Sequence, residues 1–580
     1  MPSKEDVQVQ ALVHQIEMGP LKFWVLRAAF FAAVAGLAAL YLVLNFRGLD
    51  SETAMDQAQV GRQIAAGAGY STLYVRPMAM WQFINSRGSL PSGFFPDTYN
   101  FPLNPAINAV LLRPIKRWWP MEPSDVVYFA DRVVAAGGML MFLAAVFVAF
   151  FLVREIFDRK IAWLTASLVL VTDMMWRFSV SGLPQNAVLF LFTASLLFVH
   201  RALVARESGR TGPMLLLLSA AALLLGLAAL AHPAVAWIFA GFLVFTAVWF
   251  RPRSVSALLV FFVFLLVVSP WLVRNYLVCG NPLGLGIFAI LDGTTGSESA
   301  FMRNLQPDMS AFGAVRAKLR GGLTGQFENL FTFLGFNVAA AAFFFALLHI
   351  FRRKETNMLR WCVLLMWIGA AAGMALFAPQ GAVSANQLHM LFVPVFAAYG
   401  VAFLLVLWKR MEIRYEPARN AFLGAICAVT ALPMAVNLLT APAQRINWPP
   451  YVPPFINAVC QWMKPGEIIC SDMPWATAWY GGRVSLLLPS TVEQFISLHD
   501  YKTLGGSING LYLTPVSGNR PFLSQIARGE YAAWGHYILR RPELDPFYSG
   551  FPLKEKVDLP IGGECIFYSD MDRWTTREEL

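Results

Sequence analysis

The chain reads as a polytopic α-helical membrane protein, with about 11 transmembrane helices and a C-terminal extracytoplasmic α/β domain. Three observations predict this. Of the 580 residues 57% are hydrophobic and only 14% charged, with a mean hydropathy of +0.54, whereas an average soluble chain carries about 25% charged residues. Apolar runs close to the ~20 residues that cross a hydrocarbon core recur along the sequence. The basic residues sit in short clusters between those runs, alternating with connections that contain none.

Residues 1–21 are polar and charged, unlike the start of a cleavable signal peptide, and are expected to lie in the cytoplasm. The apolar runs fall at 22–45, 127–153, 161–180, 186–204, 213–231, 234–250, 255–276, 328–351, 358–378, 387–408 and 420–440. Connections rich in Lys and Arg are Arg154/Arg159/Lys160, Arg201/Arg206/Arg210, Arg251/Arg253, Arg352/Arg353/Lys354 and Lys409/Arg410/Arg414; the alternate short ones, Ser181–Gln185, His232–Pro233 and Gln380–Gln387, lack both residues. That asymmetry predicts a cytoplasmic location for the first set. It also explains the net charge of +10 as a topology signal, so no nucleic-acid partner is expected. The transmembrane module then spans 22–440, with a long first external loop at 46–126 and a second at 277–327. Residues 441–580 form the C-terminal domain beyond a hinge at Trp448-Pro449-Pro450. In that domain short apolar strands (Glu467–Cys470, Val484–Leu488, Gly510–Leu513, His536–Leu539, Glu564–Tyr568) alternate with helical stretches at Pro453–Met463 and Thr491–Tyr501. The six cysteines have neither metal-site spacing nor the density of a disulfide framework.

Polar groups concentrate in the first loop. Glu52, Asp56, Gln59 and Gln63 recur three or four residues apart and so share one helical face, and Gly67-Ala68-Gly69 ends that helix. This predicts a short helix at the membrane surface with carboxylates directed toward a cavity; a solvated amphipathic helix fits the same pattern. Further along, Phe95 to Pro105 holds Asp97, Tyr99 and Asn100 between prolines that fix φ, a rigid segment suited to a hydroxylated ligand or to helix capping. Cations near the outer surface are Arg62, Arg76, Arg132, Arg274 and Arg303. Asp131-Arg132 and Arg274-Asn275 stand at the ends of spans, where ionisable groups are costly and tend to line cavities. A phosphate on a membrane lipid suits such arginines.

Ser269-Pro270-Trp271-Leu272-Val273-Arg274-Asn275-Tyr276, followed by Gly280-Asn281-Pro282, resembles a recurring segment of the glycosyltransferase family 39 and aminoarabinose-transferase-like group. Ala54 to Tyr70 resembles the first-loop helix of bacterial members, and Asp97 to Pro105 their second loop motif. The resemblance covers about residues 20–440. It implies the GT-C fold and a glycosyltransferase that moves a sugar, with inversion, from a polyprenyl-phosphate donor to an acceptor hydroxyl on the extracytoplasmic face. The acceptor is a glycan, lipid or protein. Asp56 is the expected base, with Glu52 second; Arg62, Arg76, Asp97, Tyr99, Arg132, Arg274 and Asn275 are the expected substrate-binding residues. No cofactor is assigned, and a divalent metal ion stays open. Two features depart from the family pattern: Asp50, Glu52 and Asp56 are spread out where an adjacent acidic pair is usual, and the Ser181–Asn186 connection has no acid. A transporter or flippase of a lipid-linked sugar, or a non-catalytic subunit of a membrane complex, are the rival readings; the first predicts inverted repeats and ionisable groups at the bilayer midplane.

Overall fold

Long apolar helices make up most of the computed structural model of this chain. It describes residues 20–573 apart from 92, 123–124, 126, 292–300, 308, 378–380, 414, 441–450, 519–525, 527, 549–553 and 556–564; the hinge expected at Trp448–Pro450 lies outside these. Among the described residues eight helices are long and apolar enough to cross a membrane, or nine if one bent pair is a single span. The difference from eleven has local causes. The run at 161–180 forms Arg159–Leu170 and Asp173–Val180, bent by 62°. The run at 234–250 makes a 15-residue helix, Val235–Trp249. The run at 328–351 breaks into Leu330–Phe333, Val338–Ala341 and Phe343–Ala346. There Gly335 and Phe336 both adopt positive φ, 67° and 57°, and the Asn337 side chain restarts the helix by accepting from the Ala340 N–H. Broken helix is tolerated at membrane depth when it is enclosed by protein, and Ala339, Ala340 and Phe343 are buried.

Helix packing uses small residues at the crossings. A Cβ on Gly369 would lie 2.1 Å from the Trp237 carbonyl oxygen, and one on Gly241 2.3 Å from that of Leu365. Helices Val235–Trp249 and Lys354–Phe377 therefore meet backbone to backbone.

Among the described residues eight short strands build two sheets. β1 (Ser71–Thr72) pairs antiparallel with β3 (Phe95–Pro96). The larger sheet has the order β2-β5-β4-β6-β8-β7, from β2 (Tyr74–Val75), β4 (Ile468–Ser471), β5 (Val484–Leu487), β6 (Ile508–Leu513), β7 (Lys554–Glu555) and β8 (Ile566–Ser569). Its first four strands are parallel and the last two pair antiparallel. Every residue of β4 is buried, as expected for a parallel strand covered on both faces. The edge strand β2 belongs to the first loop, with Tyr74 opposite Ser485. Expected strand His536–Leu539 is instead a helical turn, Gly535–Ile538, because Tyr537 and Ile538 are needed on one side to fill the second hydrophobic core.

Helix Glu52–Ala66 of the first loop is wedged between the bundle and this sheet. Ser51 caps it by accepting from the Ala54 N–H, and it closes at Gly67 with φ 91°. It packs against Leu103–Leu112 on one side and Pro474–Gly481 on the other. The first contact depends on Gly61, where a Cβ would sit 2.7 Å from the Asn108 Cβ and 2.9 Å from the Pro105 carbonyl oxygen. Residues Ala54 to Arg62 are all buried, so this is neither a solvated helix nor one lying free at the membrane surface.

Candidate active site

Asp56 is the centre of a buried polar cluster drawn from three segments of the first loop. Its Oδ2 accepts from Arg76 Nη2 at 2.7 Å and from Asn100 Nδ2 at 2.8 Å, and its Oδ1 from Gln59 Nε2 at 3.0 Å. Asn100 Nδ2 also donates to Asp97 Oδ2 at 2.8 Å, so one amide bridges two carboxylates. The remaining Asp97 oxygen folds the segment into a turn, accepting from the Tyr99 N–H at 2.8 Å. Glu52, one helical turn before Asp56, lies 3.7 Å from Arg76 and accepts from the Tyr74 hydroxyl at 3.0 Å. The Arg76 guanidinium is clamped between the rings of Tyr74 and Tyr99, each centroid 3.8 Å away. Burial pushes both the Glu52 and the Asp97 carboxyl up from the usual carboxylate range; the neighbouring Asp56 adds to this and Arg76 opposes it. Neither belongs to a helix long and apolar enough to cross a membrane.

The other expected residues have different placements. Arg274 donates to the carbonyl oxygens of Asp97 and Tyr70, and to Asn275 Oδ1 at 2.9 Å, with its guanidinium near Tyr70 and Trp271. It clamps the loop that carries Asp97 and Asn100. The buried Asn275 lies behind it, beside Gly284, where φ is +58° and a Cβ would lie 2.2 Å from the Thr98 carbonyl oxygen. Arg62 donates to the Ala478 carbonyl at 2.7 Å and lies over Trp479, which docks the sheet's helix onto the loop helix. Arg132 is exposed and apart from the cluster; its neighbour Asp131 is the group that turns inward. Asp131 accepts from Trp479 Nε1 at 2.6 Å, the Tyr480 hydroxyl at 2.9 Å and the Leu49 N–H at 3.4 Å. Trp475 is buried too, donating to the Tyr451 hydroxyl, so neither tryptophan of that helix offers an open face.

Two cavities flank the N-terminal half of the loop helix. One of about 80 Å³ is lined by Gln57, Tyr99, Asn100 and His232. The larger, about 250 Å³, is lined by Arg47, Asp50, Ser51, Arg177, Asn45 and Asn437 among others. Neither Arg47 nor Arg177 stands out in the sequence as a ligand group. Their signal was each cation's solitary position beside an apolar run, which snorkelling explains equally well.

A metal ion does not fit the cluster. The point where Asp56 and Asp97 converge is taken by the Asn100 amide donor, and Arg76 already neutralises Asp56. Among the described residues no three His, Cys, Asp or Glu side chains gather as a metal site.

A bundle of apolar helices with a buried acidic loop site under an α/β sheet defines a multi-pass membrane protein of the GT-C fold. Solved structures of the oligosaccharyltransferase of Archaeoglobus fulgidus agree. The oligosaccharyltransferase of Archaeoglobus fulgidus tethered to an acceptor peptide aligns with a TM-score of 0.54 at 11% identity, over 88% of this chain and 71% of that one. The same organism's AglB, in complex with an inhibitory peptide and a dolichol-phosphate, aligns with a TM-score of 0.51 at 13% identity, over 85% and 69%. ArnT of Cupriavidus metallidurans covers 95% of this chain and 98% of its own, with a TM-score of 0.47 and 15% identity. No family model matches the chain, and no curated protein matches it.

Proposed function

We propose that this protein is a membrane glycosyltransferase that moves a sugar from a polyprenyl-phosphate donor to an acceptor hydroxyl, at the extracytoplasmic face. The observation that carries the reading is the convergence of Asp56, Asp97, Asn100 and Arg76 in one buried cluster between the bundle and the sheet. The structural relative bound to a dolichol-phosphate supports a lipid-linked donor, and the basic connections support a cytoplasmic N-terminus and an external C-terminal domain.

In this reading the acceptor hydroxyl attacks the anomeric carbon from the face opposite the phosphate, the C–O bond to phosphate breaks, and the configuration inverts. Asp56 takes the hydroxyl proton on Oδ1, whose one hydrogen-bond donor among the described residues is Gln59. Arg76 and Asn100 hold Oδ2 and fix the carboxylate plane. Arg177 and Arg47 line the larger cavity beside Ser51 and hold the phosphate of the donor there. Asp97 and Tyr99 position the sugar, and Glu52 is the second carboxylate beside Arg76.

Asp56→Asn keeps the shape of the side chain and removes the base. The expected result is a loss of about 10²–10⁴-fold in transfer of label from a polyprenyl-phosphate sugar, with normal expression. Transfer at a near-normal rate would take Asp56 out of the role.

A further inference from the structure

A second cavity lies at the other end of the helix that carries Asp131. Helix Phe129–Ile156 runs from Asp131, under the sheet, to Arg154 in its last turn. Beside that last turn, an apolar groove of about 630 Å³ opens between this helix, the first helix Pro20–Leu40 and helix Arg159–Leu170. Its floor is aromatic: Trp163 meets Phe30 and Phe150 edge-on, with centroids 5.0 and 4.9 Å apart. Its walls stay open sideways, because Phe31 and Phe147 are each 64% exposed, as side chains facing lipid would be.

Three guanidiniums, Arg27, Arg154 and Arg159, border this otherwise apolar space. None has a carboxylate within ion-pair distance among the described residues, and the nearby acids are committed elsewhere. Glu155 takes Arg201 through two bonds of 2.7 and 3.1 Å, and Asp158 caps its own helix at the Ile161 N–H. Between Leu143 and Arg154 the helix rises about 16 Å, close to half of a ~30 Å hydrocarbon core. The groove is thus one leaflet deep.

We propose that this groove binds a phospholipid with an anionic head group from the leaflet opposite the active site, its acyl chain against Trp163 and its phosphate among the three arginines. Basic pockets between spans select anionic head groups in this way. The inference stands on the groove alone and does not require the transferase reading.

The test is native mass spectrometry of the full chain in detergent, titrated with phosphatidylglycerol or with phosphatidylcholine of the same acyl chains. Phosphatidylglycerol is expected to bind tighter by at least about tenfold. Arg27→Gln/Arg154→Gln/Arg159→Gln is expected to weaken it by about fivefold per charge, on the order of a hundredfold together, with a smaller loss for phosphatidylcholine, whose choline cation already offsets the same phosphate. Arg159→Gln alone, at an exposed first-turn position, is expected to show the fivefold step and covers the case in which the triple variant does not fold. Ala166→Trp, which fills the groove, is expected to lower binding of both lipids. Equal binding of the two lipids, unchanged phosphatidylglycerol binding in the arginine variants, or one-for-one displacement by a polyprenyl phosphate would each overturn the assignment.

Discussion

Glu52 and Asp56 sit one turn apart on the same helix and share Arg76, yet their settings differ. Asp56 is held by three donors, whereas Glu52 has burial as the largest influence on its acidity, which raises its pKa. A carboxyl whose folded pKa lies above its unfolded value near 4.3 stabilises the fold below that unfolded value. The contribution is lost as pH rises through the folded pKa. Glu52→Gln, uncharged at every pH, should therefore melt closer to wild type at pH 5 than at pH 8, where the variant should be the more stable protein. Asp97 and Asp472 shift in the same direction and persist in the variant, so the pH dependence of Tm should flatten without vanishing. A wild-type profile that runs parallel to the variant's would contradict this. Arg177 belongs to the same scale. It is exposed to the larger cavity, and Arg177→Gln should raise KM for the polyprenyl-phosphate donor by about tenfold with kcat little changed, the pattern of lost uniform binding. A fall in kcat alone would assign it to the chemistry instead.

The loop helix was legible in the sequence because three- and four-residue spacing and a glycine stop are strong local signals, and the structure has it at Glu52–Ala66. Its partners were not legible. The Asp56–Arg76 and Asp56–Asn100 bonds join residues 20 and 44 positions apart, with nothing in spacing to announce them. At the second span the expectation centred on Arg132, while the inward group is Asp131; one residue is a rotation of about 100° around a helix, and hydropathy does not resolve it. The run at 328–351 keeps an apolar majority despite Glu328, Asn329, Asn337 and His349, so a count of apolar residues over its length does not register the break at Gly335. Asp131 also yields a test at this scale. Trp479→Phe removes the 2.6 Å donor while keeping an aromatic ring, leaving a buried carboxylate short of one bond. The cost should be about 1–3 kcal/mol, read as a lowered unfolding midpoint together with faster proteolysis of residues 454–518. An unchanged midpoint would mean that the Tyr480 and Leu49 bonds suffice.

At the scale of the molecule, the first loop that carries the cluster is held in place by residues near the other end of the chain. Arg62 reaches the carbonyl of Ala478 across 416 residues, Asp131 reaches Trp479 across 348, and the first loop lends β2 to a sheet otherwise made after residue 467. Contacts of such separation close slowly, because the loop entropy is lost before the bonds repay it. During synthesis, then, the first loop emerges early and waits. Its edge strand and the Arg62 side chain stay without partners until the ribosome has nearly finished, so the protein passes most of its birth as a set of spans with an unassembled loop. Chains arrested at residue 440 should be cut by added protease within 46–126, and full-length chains should resist. Equal resistance in the arrested chain would show that the loop folds without its distant partners.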